Sequence, residues 1–598
     1  MITTGKNEEI GRVPNIEEVK HVVFNLNGDS TSRPDDFLGI FFQSCWDIIR
    51  EDIIRMVKAF FCGQELPRFV THTNLILLPK RENVKSLTDL RPVSLCTFVS
   101  KIISRVLHER IATVLPCIIS KNQSGFVKGR SITENVLLAQ EIIRDINLRK
   151  KFHNVVVKLD MAKGYDRVSW VFLTKVLRRF GFSEIIIDMV WRLLTNNWYS
   201  VMVNGKAFGF FQSSRGLKQG DPLSLTLFII SAEVLARGLN KLHEEANFKG
   251  YRIPKWSPPI NHLSYADDTI LFCLGDKKSI GKMVDVLKKY EMVSGQVINL
   301  NKSIFYLHDK TPLIVGVRLR SMTEIRHGNF PFTYLGCPVY YGRKKKAYFE
   351  ELVKKSFFGS KTGGGKGKHW LAWEDMCYPK EEGGIGFRSL HEITKALFGK
   401  LWWTFRTSTS LWSNFMWNKY CKKHHPLIAK GTGASHVWRK MLEVTEEVDH
   451  YIWWQIKIGE TSFWFDNWTK QGALYYIEDQ NVEEEEVEET MIHLFLIAPI
   501  ATKLWKQFTT RAGIRTDGGL QQIITWWWKA TNKPKLKTIF QAIPAILMWE
   551  LWKRRNARRN GKEVTYGELY QKCQNNVFQR TKTLLPWINV RKKLGRIS

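Results

Sequence analysis

The sequence predicts an α+β fold, with an antiparallel sheet in its first half and a mainly helical, tryptophan-rich region towards its end. Two short apolar arms flank Asp267 and Asp268, which predicts a β-hairpin with both carboxylates at its tip. The apolar run Val155–Leu159 predicts a buried strand that ends at Asp160. Apolar residues at helical spacing occupy much of the intervening sequence, so helices are expected between the strands.

The three carboxylates are the strongest functional signal from the residues alone. Adjacent Asp267 and Asp268 repel each other unless a cation neutralises them, although a solvated turn is the alternative for this hairpin. Asp160 follows a buried strand, a frequent location of sites in open α/β sheets. If the fold gathers the three, they can hold two Mg²⁺ ions about 3.5–4 Å apart, the arrangement used for in-line phosphoryl displacement.

Three segments carry a resemblance to a known family. They are Leu-Asp-Met-Ala-Lys-Gly-Tyr-Asp-Arg-Val (159–168), Arg-Gly-Leu-Lys-Gln-Gly-Asp-Pro-Leu-Ser (215–224) and Tyr-Ala-Asp-Asp (265–268). In this order they resemble the core motifs of reverse transcriptases, with wording similar to that of plant LINE-type (non-LTR) retrotransposons. The resemblance runs from about Val13 to Gly342 and resumes near His369.

The resemblance implies a right-hand polymerase fold with fingers, palm and a truncated thumb, and the activity of an RNA-directed DNA polymerase. By this resemblance, the expected catalytic residues are Asp160, Asp267 and Asp268. With the Met161 carbonyl they are expected to hold two Mg²⁺ ions (Mn²⁺ is possible), one lowering the pKa of the primer hydroxyl and one stabilising pyrophosphate. The implied partners are an RNA template, a DNA primer or target, and deoxynucleoside triphosphates.

Composition agrees with a polyanionic partner. Lys and Arg total 90 against 57 Asp and Glu, a net charge of +33, although a ribosome-like or merely soluble basic protein is the alternative. The nine cysteines are scattered without a CxxC pair, which argues against a disulfide framework and a classical zinc module. We expect no signal peptide and no membrane span, and hence a location in the nucleus or cytoplasm.

The fingers and palm are expected to carry the nucleotide-binding residues. A strand at Asn74–Lys80 and a helix at Phe98–Leu115 look like fingers, and a hairpin is expected to turn at Asn204-Gly205. By resemblance, the residues that face the incoming nucleotide are Arg91, Lys101, Tyr165, Gln219, Gly220 and Lys302. Three alternatives remain open from the residues alone: Lys101 as a solvated helix face, Tyr165 as a core aromatic and Lys302 as a surface lysine.

Two further segments resemble parts that contact the template or primer. The basic loop Gln123–Arg130 supplies Lys128 and Arg130, which an ordinary surface loop would also explain. The segment Phe332–Pro338 resembles the primer-grip hairpin, and its candidate residues are Tyr334, Leu335 and Gly336.

The chain also departs from the family pattern. Arg33–Asp36 replaces Gly-Pro-Asp-Gly, Gly164 replaces Ala, and Leu225 replaces Pro. Most of the thumb is expected to be missing, because the helix that begins near Tyr348 runs into a Gly/Lys-rich linker. The family's zinc-binding cysteines are absent around His493, so no zinc is expected there.

The expected organisation follows from these assignments. It comprises a disordered N-terminus (1–12), a helical extension (13–70), fingers and palm (71–342), a truncated thumb and linker (343–368), a tryptophan-rich connection (369–477), a degenerate zinc-binding-like region (478–530) and a basic helical tail (531–598). A decayed retroelement fragment that binds nucleic acid without polymerising is the competing hypothesis. A group II intron maturase is a weaker third.

Overall fold

The computed structural model divides the chain into two compact units, Met1–Val448 and Asp449–Ser598. The sheets belong to the first unit. The structure describes residues 1–29, 34–35, 37–148, 152–254, 256–352, 389–422, 424–429, 433–454, 465–467, 493–515, 517–559 and 564–584.

The elements are numbered in chain order. The strands are β1 (His72–Pro79), β2 (Leu90–Cys96), β3 (Asn154–Leu159), β4 (Trp198–Val203), β5 (Lys206–Gln212), β6 (His262–Tyr265), β7 (Asp268–Leu274), β8 (Ile304–Tyr306), β9 (Arg326–Gly328), β10 (Phe332–Tyr334) and β11 (Cys337–Val339). The helices up to the palm are α1 (Thr4–Gly11), α2 (Ile16–Asn25), α3 (Gly39–Ser44), α4 (Trp46–Phe61), α5 (Arg68–Thr71), α6 (Phe98–Ala112), α7 (Leu115–Ile118) and α8 (Ile132–Arg144). They continue with α9 (Gly164–Arg167), α10 (Trp170–Phe180), α11 (Glu184–Thr195), α12 (Pro222–Lys241), α13 (Lys277–Ser294) and α14 (Leu313–Thr323).

The later helices are α15 (Leu390–Thr407), α16 (Leu411–Met416), α17 (His436–Glu443), α18 (Thr445–Tyr451), α19 (Pro499–Ala512), α20 (Leu520–Lys529), α21 (Pro534–Arg559) and α22 (Tyr566–Leu584). Short 3₁₀ turns occupy Leu87–Asp89, Leu242–Glu244, Lys346–Phe349 and Pro426–Ile428, and π-helical turns occupy Trp417–Cys421 and His493–Ile497.

A five-stranded sheet in the order β6-β7-β3-β8-β9 forms the centre of the first unit. Strand β3 pairs antiparallel with β7 on one side and with β8 on the other. Val155, Val156 and Val157 are fully buried, which explains why this strand has a continuous apolar sequence rather than alternating polar residues. The predicted strand at Val155–Leu159 and the predicted hairpin around Asp267 and Asp268 are therefore confirmed.

A four-stranded sheet in the order β2-β1-β4-β5 corresponds to the predicted fingers strands. The predicted turn at Asn204-Gly205 is confirmed: both residues have positive φ, +50° and +77°, as a type I′ turn requires. A separate two-stranded hairpin, β10–β11, matches the predicted primer-grip segment.

Helix α12 lies in the core of the first unit and packs against α6, α10 and α13. Its extension, Pro222–Glu244, is the helix within the described ranges that is long and apolar enough to cross a membrane by length and composition. About two thirds of its most apolar window is buried inside the protein (67%), which is typical of the central helix of a globular core.

The predicted disorder of residues 1–12 is wrong. Helix α1 buries Ile10, and the Asn7 amide donates to the Gly181 carbonyl at 2.7 Å and accepts from the Ser183 N–H at 2.9 Å. A single buried apolar side chain and a few long-range hydrogen bonds order this segment. A mainly polar helix of eight residues gives no amphipathic pattern from which this could be predicted.

The described tryptophans divide between the cores and the surface. Trp402, Trp412 and Trp438 are fully buried in the first unit, and Trp505 and Trp527 in the helical core of the second. Trp528 and Trp453 are exposed, so stacking on bases stays open only for tryptophans of that kind.

Several predictions concern residues outside the described ranges. These are Arg33 and Asp36 of the Arg33–Asp36 turn, the Gly/Lys linker up to Lys368, the acidic run Glu478–Glu489 and the C-terminal end of the basic tail. The side chain of His493 also lies outside them, so the expectation about zinc there stays a prediction.

Candidate active site

One edge of the central sheet carries Asp160, Asp267 and Asp268. Leu159 pairs with Thr269 at the end of the antiparallel register of β3 and β7, so Asp160 and Asp268 are the residues that come next at the same edge of the sheet. Tyr265 pairs with Asp268 across the hairpin, which leaves Asp267 in the two-residue turn. The backbone thus brings the predicted strand end and hairpin tip together.

The turn is held in an unusual conformation by a neighbouring loop. Ala266 has a φ of +54°, a region that costs a non-glycine residue of order 1 kcal/mol or more. The Gln123 side chain accepts from the Ala266 N–H at 3.0 Å and donates to its carbonyl at 3.3 Å. Gly125 lies so close that an added Cβ would be 2.6 Å from the Ala266 nitrogen. The loop around Gln123 therefore fixes the backbone that presents Asp267.

The site concentrates negative charge in a partly desolvated cleft. Burial raises the pKa of Asp160, the charge of Asp267 raises it further, and Lys302 opposes the shift. Asp268 is accessible to solvent, yet desolvation by the cleft followed by the charge of Asp267 raises its pKa too. The three carboxylates are thus electrostatically coupled, and a cation among them would relieve the repulsion.

The backbone of Met161 is also oriented for ligation. Met161 forms an isolated antiparallel bridge with Ile298, and the two hydrogen bonds of the bridge lie on either side of Met161. One runs from the Asn299 N–H to the Asp160 carbonyl and the other from the Ala162 N–H to the Val297 carbonyl, both at 2.8 Å. In this non-hydrogen-bonded type of pair the central residue directs its own carbonyl away from the partner strand. The Met161 carbonyl is therefore turned away from Ile298.

The donor set fits magnesium in its chemistry. Carboxylate and carbonyl oxygens are the hard ligands that Mg²⁺ takes, and the raised pKa values of Asp160 and Asp268 reflect a site that favours a positive partner. Within the described ranges, no three His, Cys, Asp or Glu side chains stand as a group ready to hold a metal ion.

The comparisons with known proteins agree with this geometry. Residues 78–339 match the family described as reverse transcriptase (RNA-dependent DNA polymerase). A *Xenopus laevis* transposon TX1 protein of 149 kDa, itself uncharacterized, is 28% identical over 263 residues, which are 44% of this chain and 20% of that protein. The Pol polyprotein of the *Drosophila melanogaster* type-2 retrotransposable element R2DM is 27% identical over 280 residues, 46% of this chain and 24% of that protein.

Residues 78–339 are therefore similar to reverse transcriptases, and the *Drosophila melanogaster* relative over this stretch comes from a retrotransposable element. The chain spans only about a quarter or less of the length of those two relatives. An uncharacterized mitochondrial protein of *Arabidopsis thaliana* is 47% identical over 68 residues, 11% of this chain and 56% of that protein. Members of the reverse transcriptase family generally use a divalent metal.

Tyr165 lies beside the aspartates of the reverse transcriptase domain. Its ring stacks on Phe228 with centroids 4.5 Å apart and planes 15° apart. Burial, and then the charge of Asp267, raises the pKa of its hydroxyl. An added Cβ at Gly164 would approach the Phe228 ring to 3.3 Å, so the glycine that replaces the family's alanine leaves room for this stack.

The other predicted nucleotide-binding residues come from three elements. Arg91 is exposed on β2, and Lys101 is half-buried on α6. The Gln219 carbonyl accepts from the Ser94 N–H at 2.9 Å, and Gly220 has a φ of +109°, which ties this motif to the strand that carries Arg91. Lys302 is exposed and close enough to Asp160 to lower its pKa. Their contacts with a nucleotide stay a prediction.

The predicted template and primer residues differ in how much of each side chain is available to contact a nucleic acid. Lys128 is exposed. The Arg130 guanidinium donates to the carbonyls of Ile119 and Gln123 at 2.7 and 2.6 Å, and also to that of Ser120. Arg130 therefore shapes its own loop, and a phosphate would have to compete with these carbonyls for it.

The primer-grip hairpin turns at Leu335-Gly336, where both residues have positive φ. Tyr334 is fully buried below the turn, and burial followed by the charge of Asp268 raises the pKa of its hydroxyl. Tyr334 is thus an internal support, while Leu335 and Gly336 form the tip. The Lys158 ammonium donates to the Thr333 carbonyl at 2.8 Å and joins the hairpin to β3.

Asn135 of α8 is a residue of the candidate site that sequence reasoning missed. It is 2% exposed, and its amide donates to the Ser264 carbonyl at 2.9 Å while its oxygen accepts from the Tyr334 hydroxyl at 3.0 Å. It therefore contacts the aspartate hairpin and the primer-grip hairpin at once. Gln123 was likewise assigned only to a basic loop. Nothing in the local pattern marks either amide, because their partners are distant in sequence.

Proposed function

We propose that this chain is an RNA-directed DNA polymerase that joins a deoxynucleotide to a primer 3′-hydroxyl on an RNA template. The observation that supports the proposal is the strand register, in which Leu159 and Thr269 pair at the sheet edge where Asp160 and Asp268 come next, with Asp267 in the adjoining turn. The match of residues 78–339 to the reverse transcriptase family supports it independently.

In this proposal Asp160, Asp267 and Asp268, with the Met161 carbonyl, hold two Mg²⁺ ions. When bound, such ions lower the pKa of the attacking hydroxyl and neutralise the leaving pyrophosphate. Lys302, beside Asp160, adds positive charge on the side expected for the pyrophosphate.

The remaining roles concern the nucleotide and the primer. Arg91 and Lys101 offset the charge of the incoming triphosphate from the fingers. Gln219 and Gly220 line the nascent pair, and Tyr165 closes the space beside the 2′ position of the sugar. Lys128 and the Leu335-Gly336 tip contact the template and primer backbones.

The origin of the chain is part of the proposal. We infer a LINE-type element of plants whose thumb is shortened and whose zinc-binding region is degenerate. The 47% identity over 68 residues to an *Arabidopsis thaliana* protein supports a plant origin.

Primer extension on poly(rA)/oligo(dT) with Mg²⁺ tests the function. The native chain should extend the primer, and Asp267→Asn should reduce extension by about 10³-fold or more, because metal-centred chemistry supplies several kcal/mol. Asp285→Asn, an exposed aspartate on α13, is the matched control and should extend normally.

Two results would contradict the proposal. Extension by Asp267→Asn at the native rate would remove the aspartate hairpin from catalysis. Salt-sensitive binding of RNA without any extension by the native chain would favour the decayed fragment. One observation favours that second candidate, namely the absence of a metal-ready side-chain group within the described ranges.

A further inference from the structure

Helix α8 connects the active site to a part of the first unit that follows the primer grip. Asn135 touches both hairpins, and five residues later Gln140 donates to the Tyr340 carbonyl at 2.7 Å and accepts from its N–H at 3.2 Å. Four residues further, the Arg144 guanidinium donates to the Gly433 carbonyl at 2.6 Å. At 1.5 Å per residue, Gln140 and Arg144 lie roughly 8 and 14 Å beyond Asn135 along the helix axis.

A buried ion-pair network attaches the helices after Ser389 to this same helix. The Lys419 ammonium, 11% exposed, is 2.9 Å from both the Glu141 and the Asp145 carboxylates. The Tyr420 hydroxyl donates to Glu141 at 2.8 Å. Desolvated charge pairs of this kind tolerate little displacement, so the segment around Lys419 has one fixed position on α8.

An exposed group of cations lies where these two attachments meet. Arg343, Lys344, Lys345 and Lys346 begin four residues after the end of β11 and are all exposed. The ammonium groups of Lys344 and Lys345 lie over the rings of Phe349 and Tyr348, at 5.2 and 5.9 Å from the centroids. These contacts orient the lysines while leaving the charges at the surface.

The segment held by Arg144 brings a further cation to this group. Burial lowers the pKa of His436, and the charges of Lys344, Lys440 and Arg439 lower it further, which shows that the two segments lie side by side. Lys440 is paired with Glu443 at 2.6 Å, so its charge is largely compensated. Arg439 is exposed.

We propose that Arg343, Lys344, Lys345, Lys346 and Arg439, here called the basic strip, bind the phosphate backbone of the primer–template duplex behind its growing end. This inference rests on the proposed polymerase function. Gln140 and Arg144, which hold the segments on either side of the strip, lie about 8–14 Å from Asn135 along α8, and this distance corresponds to roughly two to four base-pair steps of 3.4 Å. The strip would thus do for this chain part of what a thumb does, by gripping the duplex without reading its sequence.

Equilibrium binding of primer–template with increasing duplex length tests the inference. The quadruple variant R343Q/K344Q/K345Q/K346Q should bind a 12-base-pair duplex about tenfold or more weakly than the native chain, and the slope of log affinity against log salt should fall by about 3. With a duplex of two base pairs beside the same single-stranded template, the variant and native affinities should agree within twofold. The loss should emerge near four base pairs.

A matched variant separates this effect from net charge. K277Q/K278Q/K288Q/K289Q removes four exposed lysines of α13 and should leave duplex affinity within about twofold. Melting temperatures of both variants should equal that of the native chain, since all eight side chains are on the surface.

Equal loss for duplex and single strand, or equal loss in both quadruple variants, would overturn the inference. So would no loss at 12 base pairs. Binding is measured without extension, so a native chain that fails to extend but shows the length-dependent loss would contradict the polymerase function and leave the strip standing.

Discussion

At the scale of single residues, Tyr165 illustrates how one side chain satisfies two interpretations. The sequence allows it to be either a residue that faces the incoming nucleotide or a core aromatic, and in the proposed function it is a gate that crowds the 2′ position of the sugar. The structure shows it stacked on Phe228, half-buried, and close enough to Asp267 for that charge to raise its pKa. Core packing on one face of the ring therefore fixes the other face near the aspartates, so a role in packing does not compete with a role at the site.

Replacing Tyr165 tests the gate directly. Tyr165→Ala should raise the incorporation of ribonucleotides relative to deoxynucleotides by about tenfold or more, because removing the ring opens space worth of order 1–3 kcal/mol in discrimination. Tyr165→Phe retains the ring and should discriminate as the native chain does. The measurement is the ratio of kcat/KM for a ribonucleoside and a deoxynucleoside triphosphate.

Loss of packing needs its own control in that experiment. Tyr165→Ala also removes the stack on Phe228 and is expected to lower stability by about 2–4 kcal/mol. Phe228→Leu weakens the same stack from the other side and should leave sugar discrimination unchanged. A native ratio in Tyr165→Ala, or a relaxed one in Phe228→Leu, would contradict the gate.

At the scale of elements, local chemistry predicts the strands and turns well. Asn204-Gly205 gave the correct turn because both residues tolerate positive φ. The apolar run of β3 gave a buried strand because both of its faces are covered. The positive φ of Ala266 could not be predicted, since alanine does not favour it and the Gln123 amide that holds it lies far away in sequence.

Helix α8 shows the same limit. Its start follows from Ser131, whose side chain accepts from the Thr133 N–H. The importance of this helix could not be predicted from the sequence, because Asn135 fits the pattern of an ordinary polar residue on a helix. Only the assembled fold shows that its amide joins two hairpins, through Ser264 and Tyr334.

A double-mutant cycle between Asn135 and Tyr334 measures this connection. Tyr334→Phe leaves the Asn135 oxygen without its donor. Asn135→Ala leaves the buried Tyr334 hydroxyl without its acceptor and removes one of two donors to the Ser264 carbonyl, which keeps the Ser124 N–H. Each variant should therefore cost about 1–3 kcal/mol in the free energy of unfolding. Their coupling energy should be about 1 kcal/mol, measured by urea denaturation. Both single variants should also raise the KM for primer more than they lower kcat.

Asn240→Ala provides a matched cycle. The Asn240 amide donates to the Asn122 side chain at 3.1 Å and shares no hydrogen bond with Tyr334 among those described. Its effect should therefore add to that of Tyr334→Phe within about 0.5 kcal/mol. A coupling near zero between Asn135 and Tyr334 would show that the two hairpins are held independently.

At the scale of the whole molecule, the first unit extends further than the motifs indicate. The family match ends at residue 339, yet the compact unit continues to Val448. Buried tryptophans and the Lys419 network account for this, because they give the helices after Ser389 a core and a fixed attachment to α8. Composition predicted a tryptophan-rich helical region, but the partners of those helices depend on contacts across almost 300 residues.

The Lys419 network gives the final prediction. Burial alone would lower the pKa of Lys419, but the charges of Glu141 and Asp145 outweigh it and the pKa is raised. A cation whose pKa is raised on folding contributes its full stabilisation below the ordinary value of about 10.4 and loses it only above the folded pKa. Lys419→Met should therefore destabilise the first unit by about 3–5 kcal/mol, equally at pH 6 and pH 9.

The reason for that cost is the charge left behind rather than the pair itself. Lys419→Met leaves Glu141, 2% exposed at its side chain, ionised without its cation, whereas Lys419→Met/Glu141→Leu removes both charges. The double variant should recover most of the lost stability, because a buried pair and an apolar pair of similar volume differ little. Denaturant unfolding measures both, with Lys395→Met, which breaks an exposed pair with Glu447, as the control that should change stability by less than about 1 kcal/mol. A double variant no more stable than Lys419→Met would mean that the helices after Ser389 are held on α8 by the specific geometry of this network.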